Sequence, residues 1–402
     1  PGFSSHKKKE IKMNSKERMT LAMQHKTPDR VPVMCQLALG HYFLNTDIPP
    51  HKIWFTSEGF AQALVQLQRR YRFDGILINL PGRPENLLDD VKYIKETTDG
   101  EILTWKNGDT TLIPWDDNPL HTAADKSKPG HADFETIDPD NLDFINELWE
   151  YIWGAYHVPY LSGKSGLTDI PNYFYRTIDM VKEMVGDEVS IHGEVFSPLT
   201  HFMELFGYEK ALMNFIMDAP KCHALLDRLT DIAIAWAVGQ AKRGVDVVLV
   251  SSAFVGGPFL SPKMYKEFVV PYELRLNEAI RNANKPMYTH TCGSIGDRVD
   301  LMVKTSTLGL DALDPPPLGN GDLCKTKEEF GDKLFIKGNM NAVELLDMKT
   351  EEEVIAHASE KLRIGMPNGG YILSTSCSVS PRMEPWKLDL LTPLAEKIGV
   401  YS

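Results

Sequence analysis

The chain has 402 residues, 43% hydrophobic and 24% charged, the balance of an ordinary water-soluble globular protein. No apolar run reaches the ~18 residues a membrane span needs, and 43 basic against 55 acidic residues, a net charge of −12, argue against a protein that holds nucleic acid on a basic surface. Five cysteines are too few, and odd in number, for a disulfide scaffold, which leaves core packing, redox chemistry or metal ligation as their roles.

Residues 1–12 read as an unstructured leader without the apolar stretch of a secretory signal, and Met13 as the expected start. Asn14 with Glu17 three residues on predicts a capped helix through about His25, ended by Thr27-Pro28-Asp29-Arg30. Eight short apolar, β-branched runs follow: Val31–Gln36, Gly75–Leu80, Val189–Val195, Val245–Ser252, Pro286–Thr291, Leu310–Asp314, Leu334–Asn339 and Gly370–Ser376. Near-continuous apolar runs suit parallel strands covered by helices, and helix-length amphipathic segments such as Pro262–Asn282 and Thr350–Arg363 lie between them. Eight strands fill a (β/α)8 TIM barrel with none left over, although a doubly wound open sheet uses the same alternation. The expected organisation is a leader and helix over 1–30, and one barrel domain over 31–402 with a long insertion, 81–188, after the second strand. In that insertion Asp99-Gly100 and Asn107-Gly108 are hairpin signals joining Tyr93–Thr97, Glu101–Trp105 and Thr110–Ile113. Asp138–Tyr156 and Tyr173–Val185 read as helices. Its aromatic residues Trp105, Trp115, Tyr173, Phe174 and Tyr175 either enclose a substrate ring or form the insertion's own core.

The chemistry concentrates at strand ends, where barrels assemble their active sites. His290 and Cys292 end the fifth predicted strand at i, i+2 spacing, so both side chains face the same way. An imidazole and a thiol suit zinc, but a catalytic zinc normally has three protein ligands and an open position. Cys377, just past the eighth strand, is the candidate third ligand; the alternative is that His290 and Cys292 are merely packed side chains. Cys35, at the end of the first expected strand, either faces the barrel mouth or is a buried structural thiol, and Cys222 and Cys324 read as non-functional. Glu194 ends the third strand as a fourth ligand or a nearby acid/base, with His192 at the same parity. Asp74, Ser251, Ser252, Asp314, Asn339 and Asn341 stand at or beside other strand ends and could line a polar cavity. Gly256-Gly257-Pro258 could bring backbone close to a ligand but lacks the spacing of a phosphate loop.

From about Asn14 onward the chain resembles the uroporphyrinogen decarboxylase superfamily, and more narrowly its corrinoid-dependent methyltransferase branch. The segments that carry the resemblance are Pro28-Asp-Arg-Val-Pro-Val33, Phe73-Asp-Gly75, Ser261-Pro-Lys-Met-Tyr265 with Pro271-Tyr272, and His290-Thr-Cys-Gly293. Gly309-Leu-Asp-Ala-Leu-Asp314, Lys337-Gly-Asn-Met-Asn341 and Ile372–Pro381 extend it. The decarboxylases carry an arginine-rich segment reading like R-Q-A-G-R-Y that grips the porphyrinogen carboxylates. Here the stretch is Cys35-Gln-Leu-Ala-Leu-Gly-His-Tyr42, and both arginines are gone. Asp74 matches the region of the decarboxylase catalytic aspartate and does not separate the branches.

The methyltransferase branch binds zinc through H-x-C and a distant Cys, which His290, Cys292 and Cys377 match residue by residue. What the resemblance implies is a zinc methyltransferase that moves a methyl group between a small substrate, a methoxylated compound or a thiol, and a corrinoid. No D-x-H-x-x-G cobalamin motif occurs here, so the corrinoid (methylcobalamin) is expected on a separate corrinoid protein. Asp74 and Glu194 are the expected acid/base residues, and Ser251, Asp314 and Asn339 the expected cofactor-side residues. A cytoplasmic location and a homodimer complete the expectation. A uroporphyrinogen-type decarboxylase, or a non-catalytic docking barrel with structural zinc, are the alternatives.

Overall fold

The computed structural model describes residues 13–125, 131–142 and 170–401. The expected leader and most of the helix expected over 138–156 lie outside these residues; within them, Pro139–Asn141 is a 3-10 turn.

Seven parallel strands form one curled sheet: β1 (Gly75–Ile78), β6 (Ser190–Phe196), β7 (Val247–Ser251), β8 (Met287–Thr291), β9 (Gly309–Ala312), β10 (Phe335–Met340) and β11 (Tyr371–Thr375), in that spatial order. Helices connect and cover them, giving an α/β, TIM-barrel-like fold. The strands are buried throughout, apart from the half-buried Phe196 at the end of β6, because one face meets helices and the other meets the residues inside the curl. On β7, Val248 and Val250 join the large core under the helices, whereas Val247 and Leu249 join an inner cluster with Leu77, Tyr288, Phe335 and Ile372.

The first of the eight expected strands is corrected. Residues 31–37 are extended but make only isolated bridges, Val33 to Leu373 and Leu37 to Val379. The reason is local. Pro32 has no N–H, and the Val33 N–H donates to the Asp74 carboxylate at 2.8 Å instead of to a neighbouring strand. The segment nonetheless touches both sheet edges. Met34 N donates to Leu373 O (3.0 Å), Leu373 N to Pro32 O (2.9 Å), and Asp74 N to Val33 O (2.8 Å).

The helix Ser15–Met23 starts with the capping box of Asn14 and Glu17. Met19, Ala22 and Met23 pack into the inner cluster and stopper the end of the sheet opposite the strand C-termini. Burying a methionine this fully contributes about 1.5–3 kcal/mol.

Four antiparallel strands, β2 (Val91–Glu96), β3 (Gly100–Trp105), β4 (Thr110–Pro114) and β5 (Leu120–Thr122), make a separate sheet in the long connection after β1. Gly108 holds φ +94° in the β3–β4 turn, a conformation that favours glycine. Trp105 is fully buried against Phe55, with centroids 5.0 Å apart and rings edge-on. Phe174 and Tyr175 pack on Trp236 at 5.8 and 5.1 Å. These three aromatic residues therefore serve cores rather than a substrate ring. No described helix is long and apolar enough to cross a membrane.

Candidate functional site

Strand alternation builds the site in layers. On β8, Tyr288 points inward at the level of the inner cluster, His290 one step higher, and Cys292 just beyond the strand end. Cys377 lies two residues beyond β11. The three converge: Cys292 Sγ is 3.3 Å from His290 Nε2 and 3.5 Å from Cys377 Sγ. All three donor atoms lie within 4.8 Å of one another, and this is the one such group among the described residues.

These separations fit a zinc ion. Tetrahedral coordination at the usual bond lengths places two sulfurs about 3.8 Å apart and a nitrogen and sulfur about 3.6 Å apart. Both thiols are free and half-buried. The hydrogen bond from Cys292 draws the Cys377 thiol down to about 4, while Cys292 is held above the ordinary thiol range. Against the effect of burial, Cys292 and Asp311 hold the His290 imidazole well above its usual range, so the three groups are tightly coupled through their hydrogen bonds.

His290 is aimed by its neighbours. In register across three strands stand His290 (β8), Asp311 (β9) and Lys337 (β10). His290 Nδ1 donates to Asp311 Oδ2 at 2.9 Å, and Lys337 Nζ donates to Asp311 Oδ1 at 2.7 Å. Burial alone would raise the Asp311 pKa, but Lys337 and His290 outweigh it and hold the carboxyl below its usual range. Sequence reasoning gave neither Asp311 nor Lys337 a role. The available signal was a charged residue of each sign at the middle of an apolar strand.

Above the donor group opens a cavity of about 270 Å3, lined by Glu194, Ser251, His290, Cys292 and Cys377, with Tyr42, Trp54 and Phe196 as its aromatic walls. Burial pushes the Glu194 carboxyl up to about 7, against the pull of His290 and a hydrogen bond from Ser251. Its backbone carbonyl accepts from Trp236 Nε1 (3.0 Å) and Gln240 Nε2 (2.8 Å), which fixes the strand end. Glu194 shares the cavity with the three donors but is not part of their cluster. His192 sits one layer deeper, bonded to Ser190 Oγ (3.0 Å) and Tyr288 OH (2.9 Å), and burial lowers it to about 3.

The other candidates separate. Asp314 Oδ2 accepts from Gly293 N at 2.6 Å and so anchors the loop that carries Cys292. Asn339 Nδ2 donates to Leu313 O at 3.0 Å and steadies a corner where Ala312 and Leu313 hold φ +85° and +49°. Asn341 caps the helix Ala342–Asp347. Asp74 is not brought to the cavity. It precedes β1 at the opposite end of the sheet, bound to Arg18 and Arg30, away from the three converging donors. Gly256 approaches the Cys292 carbonyl, where an added Cβ would sit at 2.8 Å, so the glycines serve loop packing. Cys35 and Cys222 are buried, and Cys324 is exposed.

Ser252 donates to Glu273, a carboxyl 1% exposed whose second oxygen finds no partner among the described residues. Burial pushes Glu273 up to about 7. A carboxyl raised in the folded state adds stability that is complete below its unfolded pKa, about 4.3, and is lost as pH rises through 7. Between pH 5 and 8 this group is expected to remove about 3 kcal/mol. Urea unfolding at both pH values should show a smaller loss in Glu273→Gln; equal losses in the two proteins would refute the assignment.

The sequence model of the uroporphyrinogen decarboxylase (URO-D) family matches residues 166–398. The chain belongs to that family. Its relatives include both activities. A methylcobamide:CoM methyltransferase, MtaA, of Methanosarcina barkeri is 24% identical over 206 residues, 51% of this chain and 58% of that one. The chain thus spans little more than half the length of that relative. A uroporphyrinogen decarboxylase of Magnetococcus marinus is 22% identical over 96% of this chain and 98% of its own. A solved methyltransferase from Methanosarcina mazei superposes with a TM-score of 0.68 at 18% identity, covering 96% of this chain and 99% of that one, a likeness of fold.

Proposed function

We propose that this URO-D family chain is a zinc-dependent methyltransferase of a corrinoid system. We read residues 31–402 as one TIM-barrel-like domain carrying 81–188 as an insertion. The observation that carries the reading is the convergence of His290, Cys292 and Cys377 beneath an accessible cavity. The named activity of the Methanosarcina relatives supports it. The methyl group would pass between a small thiol or methoxylated compound in the cavity and a corrinoid held by a separate protein over the mouth.

Bound by these three residues, zinc would hold a substrate thiol as its thiolate at neutral pH, or withdraw electron density from an ether oxygen. The chain's own residues do the rest. Asp311 and Lys337 orient the imidazole. Glu194, buried on the cavity wall beside Ser251, is placed to accept the proton that a thiol gives up. Tyr42, Trp54 and Phe196 exclude water from the reacting atoms.

The near full-length match to a decarboxylase favours a second reading, loss of CO2 from a tetrapyrrole. The cavity chemistry opposes it. No Lys or Arg is among the described residues lining the cavity, and a polycarboxylate needs such partners. The test is incubation of the zinc-loaded protein with methylcobalamin and a panel of small thiols, following loss of the methylcobalamin absorbance, and with reduced corrinoid and methoxylated donors in reverse. Glu194→Gln should slow thiol methylation by roughly a hundredfold or more. Failure in both directions, with chelator-insensitive CO2 release from uroporphyrinogen, would replace this reading by the second.

A further inference from the structure

The row His290, Asp311, Lys337 adds a buried ammonium to the single acceptor that ligand placement requires. A metal-ligating imidazole needs one acceptor for its far nitrogen, and a carboxylate, a backbone carbonyl or a water can serve. Here the acceptor is a carboxylate 2% exposed, itself held by an ammonium 1% exposed. Two opposite charges inside a barrel are costly to desolvate and offer little stability in return. Their arrangement is also directional. Lys337 Nζ takes Oδ1 and leaves Oδ2 free to accept from His290 Nδ1. The proton of a neutral imidazole then resides on Nδ1, and the Nε2 lone pair faces the two sulfurs, 3.3 Å from the nearer.

We propose that Asp311 is a positioning residue that fixes the tautomer of His290 for metal binding, and that Lys337 is its counter-charge, keeping the pair neutral so that the negative charge of the site resides on the sulfurs. The inference rests on the zinc reading above. It follows from register alone: Asp311 stands beside His290 on the next strand and beside Lys337 on the strand after.

The experiment removes both charges together. Asp311→Leu alone would strand a buried ammonium and confound binding with folding. The double variant Asp311→Leu/Lys337→Met leaves neither charge orphaned and should unfold in urea close to the parent. Its zinc affinity, measured by competition with a chromophoric chelator, is expected to fall 10–100-fold. The 15N–1H correlation of His290 in the zinc-loaded protein should lose the Nδ1–H signature of the parent. Asp311→Asn/Lys337→Met keeps an uncharged acceptor and should recover part of the affinity. A purely structural ion pair predicts the reverse, lower stability with zinc affinity within twofold of the parent in the Leu/Met variant; that result would overturn the inference. If the Leu/Met chain does not fold, the Asn/Met chain carries the test, with a smaller fall in affinity expected and parent-like affinity and tautomer overturning. A parent that takes up no zinc would sink the proposed function and this inference together; a zinc-binding parent matched by its double variant sinks this inference alone.

Discussion

Cys377→Ala is expected to cost the chain about a hundredfold or more in zinc affinity, and Cys292→Ala the same. Zinc sites of four ligands bind with roughly 10–16 kcal/mol, so each lost ligand removes about 3 kcal/mol, close to two powers of ten. Cys292 and Cys377 contribute two of the three converging donors, and no further cysteine lines the cavity among the described residues; Cys35 is buried. Metal analysis after zinc-replete expression should give about one zinc per parent chain and far less in either variant once dialysed against chelator. The fold should persist, because the inner cluster and the charged cluster around Asp74 lie deeper than either sulfur. A parent free of zinc, or variants that keep it, would remove the metal from the mechanism. Loss of zinc with methyl transfer intact would make the metal structural.

The parts of this site visible in the sequence were those governed by short-range rules. His290 and Cys292 share a face because strand residues two apart always do. The helix Ser15–Met23 was visible because capping is a local exchange between Asn14 and Glu17. What stayed hidden depends on register between strands, which no local pattern encodes. Asp311 meets His290 and Lys337 only because three strands align at that height. The first expected strand failed for a similar reason. Val31–Gln36 has strand composition, but a carboxylate 41 residues away takes the Val33 N–H that a ladder would use. Glu194 and Ser251 were nominated from strand ends and do line the cavity, whereas Asn339 and Asn341 at equivalent ends turn to loop and helix support. Tyr42 and Trp54 could not be nominated at all, since they reach the mouth from helices before β1.

Asp74→Ala is expected to destabilise the protein by about 3–5 kcal/mol, the cost of removing one partner from a buried ion pair. Asp74 is fully buried and accepts from Arg18 Nη1 (2.7 Å), Arg30 Nη1 (2.8 Å) and Nη2 (3.1 Å), and Val33 N (2.8 Å). Arg18, 3% exposed, is also bound to Asp29 at 2.6 Å, whereas the Arg30 guanidinium, in a residue 8% exposed, has Asp74 as its one carboxylate partner among the described residues. Removing the carboxylate therefore strands the Arg30 charge and the Val33 N–H at once. It also unfastens three segments that Asp74 ties together: the N-terminal helix through Arg18, the extended stretch 31–37 through Val33, and β1, which it immediately precedes. A catalytic aspartate predicts the opposite balance, a large loss of rate with stability little changed or improved. Urea unfolding, set beside zinc content and methyl transfer per folded chain, separates the two. A folded Asp74→Ala chain of parental stability that has lost activity would return Asp74 to the chemistry. A destabilised chain that still binds zinc and transfers methyl groups leaves it as the clasp at the closed end of the barrel, where the arginines on either side of it have no substrate to reach.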